Sequence, residues 1–240
     1  MCVVHHCFHL YILYQLPHTP KHSHPPITMQ VKTFICNMLH ENCYVVYDEQ
    51  SREAAIIDPG FYWEDEKQLL TGFVRDNGLQ VKYLLCTHLH FDHIFGVSFV
   101  EDTFGVKLSA SLFDAPWLDN FTQTVARFGI RPNAAPRPVA HPLHDGDILT
   151  LGNHTLECIA TPGHSAGGMC FYIKEEAMLF AGDTLFQSSI GRTDFSDGNY
   201  AQLIHSIQNR LLGLPAHTVV YPGHGDTTTI EDEIRYNPYI

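Results

Sequence analysis

The segment Thr87-His88-Leu89-His90-Phe91-Asp92-His93 decides how this sequence folds. It follows directly on an apolar run over residues 81–86, which predicts a buried β-strand. In extended backbone alternate side chains point to the same side, so His88 and His90 can both reach one metal ion. After the chain turns, the side chains of Asp92 and His93 can face a second position nearby at which a metal ion could bind. Neutral imidazole and carboxylate are typical zinc ligands, and their density in this segment favours a metal site over a loop that is histidine-rich by chance.

Three further candidates follow later strand-like runs, and each has a glycine immediately before it: His164, Asp183 and His224. Such glycines allow tight turns and close backbone approach, which would bring side chains from separate strand ends to one point. A single histidine beside glycine is usually a turn residue, whereas three such positions at strand ends indicate a shared site. The predicted metal ligands are therefore His88, His90, Asp92, His93, His164, Asp183 and His224.

Short β-branched or aromatic runs predict strands on both sides of this segment. The first three cover residues 31–36, 42–47 and 54–58 and indicate an antiparallel meander. We predict further strands over residues 148–151, 155–160, 169–173, 177–180 and 218–221, helices over 64–77, 94–104, 111–128 and 200–212, and a loop over 129–142. Two β-rich halves, each followed by helix, predict an α/β (α+β) fold in which two sheets pack face to face with helices outside.

Length and charge restrict the possible classes of protein. A chain of 240 residues with 45% hydrophobic and 17% charged residues is typical of one globular domain. The net charge of −12 and the lack of a Lys/Arg cluster argue against a nucleic-acid partner. Seven cysteines, none in a Cys-x-x-Cys pair, indicate reduced thiols in a cytoplasmic protein rather than a disulfide framework.

Residues 1–28 differ from the rest of the chain, because they contain six histidines, four prolines and no carboxylate. Their longest apolar run, residues 7–16, is far shorter than the roughly twenty residues that a bilayer span needs. They also lack the basic start and small-residue cleavage site of a secretory signal, so we expect neither export nor membrane insertion. We predict a poorly ordered or extraneous extension, with a metal-binding tail as the alternative, ahead of one domain over residues 29–240.

The segment His88-Leu89-His90-Phe91-Asp92-His93, followed in order by His164, Asp183 and His224, resembles the metallo-β-lactamase superfamily of metallohydrolases. The resemblance covers nearly all of residues 29–240 and extends to Ile57-Asp58-Pro59-Gly60, which looks like the family's early aspartate motif. It implies a four-layer αβ/βα sandwich with the site at one edge of the sheets. It also implies that one metal ion is held by His88, His90 and His164, a second by Asp92, His93 and His224, and that Asp183 bridges the two.

The stretch Gly191-Arg192-Thr193-Asp194-Phe195 is similar to the glyoxalase II-like branch, especially its compact members. The similarity implies an acyl-thioester hydrolase whose substrate is S-lactoylglutathione or another small-molecule thioester. Full-length glyoxalase II enzymes continue into a C-terminal helical domain that supplies much of the glutathione site. This chain ends soon after His224, so we expect a more open pocket. We expect two divalent metal ions, Zn²⁺ first, with iron or manganese as alternatives.

This chemistry predicts a second role for the ligand Asp92 and roles for two further residues, Asp58 and Arg192. Metal binding lowers the pKa of water from about 15.7 to about 7, and a thiolate of pKa about 8.5 leaves with little help from an acid. Asp92 could shuttle a proton in addition to binding metal. Asp58 is expected to orient a ligand histidine, with a plain turn residue as the alternative. Arg192 is a candidate for binding a substrate carboxylate, and its alternative is an ion pair with Asp194 or Asp197.

Other functions stay open as alternatives. Persulfide dioxygenases share this scaffold and a similar Gly-Arg-Thr-Asp-Phe segment but bind one iron through fewer ligands, whereas Gly223-His224-Gly225 retains a histidine for a second ion. A β-lactamase is disfavoured by the lack of a visible export signal and by the glyoxalase II-like segment. A nuclease is disfavoured by the net charge and by the absence of an inserted nucleic-acid-binding domain. The presence of all the predicted ligands disfavours a non-catalytic metal-binding module. The sequence does not predict the oligomeric state.

Overall fold

The computed structural model describes residues 29–132 and 134–240, so the predicted extension over residues 1–28 lies outside the described residues. The elements run in this order: β1 (Met29–Cys36), β2 (Glu41–Asp48), β3 (Glu53–Ile57), α1 (Glu64–Asp76), β4 (Gln80–Leu85), α2 (Phe91–Ile94), α3 (Val97–Phe104), β5 (Leu108–Ala110), α4 (Ala115–Asp119), α5 (Phe121–Arg127), β6 (His141–Pro142), β7 (Ile148–Leu151), β8 (His154–Ala160), β9 (Met169–Ile173), β10 (Met178–Gly182), β11 (Leu185–Phe186), β12 (Ser189–Ile190), α6 (Tyr200–Ser206), β13 (Val219–Pro222), β14 (Thr228–Thr229) and α7 (Ile230–Tyr236).

Two six-stranded sheets form the frame of the described chain. The first has the order β1-β2-β3-β4-β5-β6 and the second has the order β14-β13-β10-β9-β8-β7, while β11 and β12 form a separate ribbon. Strands β1 to β3 are antiparallel, as predicted. Strand β4 is parallel to β3, and β10 is parallel to β13. Because parallel strands end at the same edge of a sheet, residues that follow β3 and β4 lie close together, and so do those that follow β10 and β13.

Alternation along the strands divides the core into layers. Between the sheets, Tyr44 and Val46 of β2 pack with Phe171 of β9 and Phe180 of β10. The opposite face of the first sheet packs against α1, α3 and α5, whose buried contributions include Leu70, Val100 and Val125. The outer face of the second sheet packs against the segment that contains Leu203, Ile207 and Leu211. The layers are thus helix, sheet, sheet and helix, which confirms the predicted αβ/βα sandwich.

Several elements differ from the prediction in detail. The helix predicted over residues 111–128 is a 3₁₀ turn followed by α4 and α5, and Asn120 caps both helices where they meet. The helix predicted over residues 200–212 is α6 followed by a π-helical turn, Ile207–Leu211. Helix α7 was missed, although Thr229 caps it by accepting a hydrogen bond from the backbone N–H of Asp232. None of the described helices is long and apolar enough to span a bilayer.

Candidate metal centre

All the predicted ligands lie beyond the carboxyl end of a strand. His88 follows β4, and the next three lie at the start of α2 or within it. The remaining three follow β8, β10 and β13, so five loops and helix starts converge at one edge of the two sheets. Most of these side chains are buried, whereas Asp183 and His224 are partly exposed. The structure therefore brings the whole predicted set together.

The first group consists of His88, His90 and His164, whose ligand atoms lie within 4.8 Å of one another. Nε2 of His164 is 2.9 Å from Nδ1 of His90. Nδ1 of His164 donates to the carbonyl oxygen of Arg192 at 2.7 Å, so a proton is on Nδ1 and Nε2 points into the group. Burial, the largest cause, together with neighbouring histidines lowers the pKa of His90 to about 3 and that of His88 well below its usual range. His88 and His90 are thus neutral rings, each with a nitrogen that can bind a metal ion.

The second group consists of Asp92, His93 and His224, again with ligand atoms within 4.8 Å of one another. Nε2 of His224 lies 3.3 Å from Oδ2 of Asp92, and Nε2 of His93 lies 3.8 Å from the same oxygen. Nδ1 of His93 faces Oδ2 of Asp58 at 3.2 Å, so Asp58 holds a proton on Nδ1 and Nε2 points toward the group. Burial would lower the pKa of His93, but Asp183 and Asp92 raise it well above the usual range, so a metal ion bound at Nε2 would replace a proton there.

The carboxylate of Asp183 lies between the two groups. Its Oδ2 is 3.5 Å from Nε2 of His164 in the first group and 3.8 Å from Nε2 of His224 in the second, while its Oδ1 is 3.5 Å from Nε2 of His93. Burial alone would raise the pKa of Asp183, but the adjacent His93 and the other histidines lower it well below its usual range. Asp183 is therefore an anion in contact with both groups.

Unpartnered buried atoms show that this donor set fits divalent metal ions. Nε2 of His88 and Nε2 of His90 are buried and have no hydrogen-bond partner among the described residues. A buried polar atom without a partner costs about 1–3 kcal/mol, and a metal ion would supply the missing interaction. Imidazole nitrogens with carboxylate oxygens are a donor set that suits zinc, iron and manganese.

Asp58 contacts one predicted ligand directly and another through Thr87. Its Oδ1 accepts from the backbone N–H of Thr87 at 2.7 Å and its Oδ2 accepts from the Thr87 hydroxyl at 2.6 Å. That hydroxyl oxygen lies 3.1 Å from Nδ1 of His88, and Oδ2 also faces His93. Asp58 reaches these contacts in a left-handed conformation with φ of 51°. The contacts are those expected of a group that orients ligand histidines.

Two buried acidic residues near the centre were missed by the sequence analysis. Asp114 accepts hydrogen bonds from the backbone N–H of Leu89, the hydroxyl of Ser165 and the backbone N–H of Gly167. It thereby joins the loop that carries His88 and His90 to the loop that carries His164. Glu41 is fully buried, 3.7 Å from Nδ1 of His93, and burial raises its pKa well above the usual range. Neither residue lies in a local motif, because their contacts come from distant segments.

A cleft of about 1020 Å³ opens onto the centre and provides room for a substrate. Its aromatic walls include Trp117 and Phe195, whose rings lie 4.4 Å and 4.6 Å from the ring of His90. Arg192 lines the cleft, stacks on Phe195 at 4.5 Å and forms a two-point ion pair with Asp194 at 2.6 Å and 2.7 Å. Asp194 rather than Asp197 therefore provides the ion pair considered as the alternative for Arg192.

Glycines that precede the ligands are required by close contacts. Gly163 has a φ of 136°, and a Cβ there would overlap the backbone of Leu203. A Cβ on Gly223 would meet Oδ1 of Asp183 and lie 2.7 Å from Cε1 of His93. These positions explain why glycine stands directly before His164 and His224.

We expect Gly223→Ala to reduce metal content and activity together, because the new methyl group occupies space between Asp183 and His93. The expected loss of metal affinity is about 10–100-fold, the range typical of disturbed ligand support. Equilibrium metal titration of the purified variant measures it. Gly213→Ala is the matched control, since a Cβ at Gly213 would meet no atom within 4 Å. Unchanged metal affinity in Gly223→Ala would mean that the ligands are arranged differently.

This chain is similar to a known protein family over most of its length. The model of the metallo-β-lactamase superfamily matches residues 37–224. Among curated relatives, hydroxyacylglutathione hydrolase GloC of Haemophilus influenzae is 35% identical over 213 residues, which are 88% of this chain and 98% of that protein.

Three solved structures that are similar to this chain are a β-lactamase, a di-iron-bound protein and ETHE1. BLEG-1, a B3 metallo-β-lactamase, has a TM-score of 0.80 at 38% identity, and the match covers 88% of this chain and 99% of BLEG-1. TTHA1623, solved in a di-iron-bound form, has a TM-score of 0.77 at 34% identity and covers 88% of this chain and 100% of its own. ETHE1 of Myxococcus xanthus has a TM-score of 0.71 at 26% identity, and the match covers 87% of this chain and 83% of ETHE1.

Proposed function

The chain belongs to the metallo-β-lactamase superfamily of metallohydrolases, and from that premise we propose that it is an acyl-thioester hydrolase of the glyoxalase II type. In this proposal the enzyme binds two divalent metal ions, proposed to be Zn²⁺, and hydrolyses a small-molecule thioester. The similarity to GloC over nearly the full length of both chains supports this substrate class.

The observation that carries the proposal is the position of Asp183. Its two oxygens contact His164 of the first group and His93 of the second, so a single carboxylate can serve two ions at once. In this assignment His88, His90 and His164 hold one ion, Asp92, His93 and His224 hold the other, and Asp183 is shared. If the enzyme bound a single iron ion at the first group, the second group (Asp92, His93 and His224) would have no ion to bind.

The chain's own residues provide orientation and proton transfer. When bound, the two ions would polarise the thioester carbonyl and make water a nucleophile at neutral pH. Although burial raises the pKa of Asp92, His93 and His224 lower it below the usual range, so Asp92 is ionised and can accept a proton. Asp58 keeps the proton of His93 on Nδ1. A thiolate of pKa about 8.5 leaves without a dedicated acid.

Specific similarities favour two other candidate functions. The likeness to ETHE1 fits a persulfide dioxygenase with one iron, and the likeness to BLEG-1 fits a β-lactamase. Release of an amide nitrogen needs a proton donor, and among the cleft residues only Asp92 has been assigned proton transfer. A thiolate leaves without such a donor, which favours a thioester over a lactam as the substrate.

The test is metal analysis of purified protein combined with three assays: thiol release from S-lactoylglutathione and other acyl thioesters, hydrolysis of a chromogenic cephalosporin, and oxygen uptake with glutathione persulfide. We expect about two metal ions per chain, thiol release, and loss of thiol release when a chelator removes the ions. One iron per chain with oxygen uptake and no thiol release would replace the proposal by a dioxygenase. Cephalosporin hydrolysis without thiol release would replace it by a β-lactamase.

A further inference from the structure

A stripe of polar side chains on one wall of the cleft has no role in the metal chemistry. Asn120, Gln123, Thr124 and Arg127 all line the cleft. Their spacing along α5 and its cap places them on one helix face. The opposite face of α5 is anchored by buried Phe121 and Val125. We call these four residues the α5 stripe.

Arg127 gives the stripe an available positive charge. Among the described residues that line the cleft, only Arg127 and Arg192 are arginine or lysine. Arg192 is already bound to Asp194 through two hydrogen bonds. The side chain of Arg127 is exposed and forms no ion pair with any described residue. An unpaired guanidinium presented to a cleft is suited to a carboxylate or a phosphate, which it can bind through two parallel hydrogen bonds.

The other three residues of the α5 stripe indicate which groups the ligand should carry besides its anion. The amides of Asn120 and Gln123 each offer a donor and an acceptor, and Thr124 offers a hydroxyl. Such groups pair well with peptide amides. Asn120 uses one amide N–H on the carbonyl oxygen of Pro116, which leaves its oxygen available to a ligand.

We propose that the α5 stripe binds the thiol half of the substrate, that this half contains amide groups, and that its terminal anion binds Arg127. The inference rests on the proposed thioester hydrolysis and adds a recognition site formed within residues 29–240. Thiols with this chemistry include glutathione, whose anions are carboxylates, and coenzyme A, whose anions are phosphates. The scissile carbonyl then lies toward His90 and Trp117, and the thiol half extends along α5.

The first experiment compares the wild-type protein with Arg127→Gln on three thioesters of the same acyl group: those of glutathione, coenzyme A and the uncharged thiol N-acetylcysteamine. We expect KM of at least one anionic thioester to rise about tenfold, equivalent to about 1.4 kcal/mol, with kcat nearly unchanged. Kinetics with the N-acetylcysteamine thioester should not change. Arg127→Lys should recover part of the effect. Arg52→Gln is the matched control, because Arg52 is exposed and lies outside the cleft.

The second experiment does not depend on turnover. Calorimetry with S-methylglutathione and S-methyl-coenzyme A should show binding to the wild-type protein that is weakened about tenfold in Arg127→Gln. The analogue that binds identifies the source of the anion. Equal KM and equal binding in Arg127→Gln and wild type would overturn the inference, even if thioesters are hydrolysed. Arg127-dependent binding without hydrolysis of any thioester would keep the recognition site and reject the proposed reaction.

Discussion

Replacing Asp183 by alanine is expected to remove metal and activity together. The protein should fall from about two bound ions per chain to fewer than one, and kcat/KM for the thioester should fall on the order of 1,000-fold, which corresponds to about 4 kcal/mol of transition-state stabilisation. Elemental analysis and thiol release measure the two effects on the same sample.

The reason is that Asp183 is the carboxylate placed between the two groups. Removal takes one oxygen away from His164 and the other from His93. It also removes the negative charge that accompanies two cations in a site where burial disfavours an unbalanced charge. The fold should survive, because Asp183 lies at the end of β10 and its side chain faces the cleft rather than the core.

A carboxylate outside the site provides the control. Asp76 is exposed and, within the part of the chain that the structure describes, pairs only with its neighbour Arg75, so Asp76→Ala should keep full metal content and full turnover. If Asp183→Ala retained two ions and normal turnover, Asp183 would not be shared between them. If it lost one ion but kept its activity, the catalytic centre would need only one metal.

Sequence patterns were sufficient to predict the two sheets and the position of the candidate site. The strands have β-branched and aromatic runs, and every predicted ligand follows one of them, so the sites at strand ends could be placed before the sheets were known. The short strands β5, β6, β11, β12 and β14 were missed because they have too few residues to show alternation, and β6 lies at the end of the loop predicted over residues 129–142. Helix α7 carried a recognisable signal, since Thr229 and Asp232 have the spacing of an N-cap pair.

Contacts between distant segments could not be predicted in the same way. The sequence singled out Arg192 because it follows Asp183 closely, but its guanidinium is held by Asp194. Arg127 drew no attention, because its importance depends on how α5 is placed over the cleft. Asp114 was likewise missed, since its three hydrogen-bond donors lie in two loops that meet only in the folded chain.

Asp114→Ala is expected to cause the second large effect, a loss of both stability and metal affinity. The carboxylate is buried and accepts from Leu89, Ser165 and Gly167 at 3.1, 2.8 and 2.5 Å. Each buried donor left without an acceptor costs about 1–3 kcal/mol, so the free energy of unfolding should fall by roughly 3 kcal/mol or more. Metal affinity should fall about 10–100-fold, because the loops that carry His90 and His164 are no longer joined.

Asp114→Asn separates the shape of this side chain from its hydrogen bonding. The amide has the same size but only one acceptor oxygen, so an N–H of Leu89 or of Gly167 must face the amide nitrogen. Burial raises the pKa of Asp114 despite these hydrogen bonds, so Asp114→Asn removes a charge that burial disfavours and keeps the size of the side chain. We therefore expect asparagine to weaken metal binding nearly as much as alanine does, with a smaller loss of stability because no cavity forms.

Denaturant unfolding of the metal-free proteins and metal titration of the folded proteins measure the two effects independently. Asp119→Ala is the matched control, since Asp119 is exposed at the end of α4, in the same segment as Asp114. A variant at Asp114 that unfolds more readily but binds metal as tightly as wild type would show that the two ligand loops are held in place by other contacts. Weakened metal binding in Asp114→Asn, with the control unchanged, would identify Asp114 as a positioning residue of the metal centre.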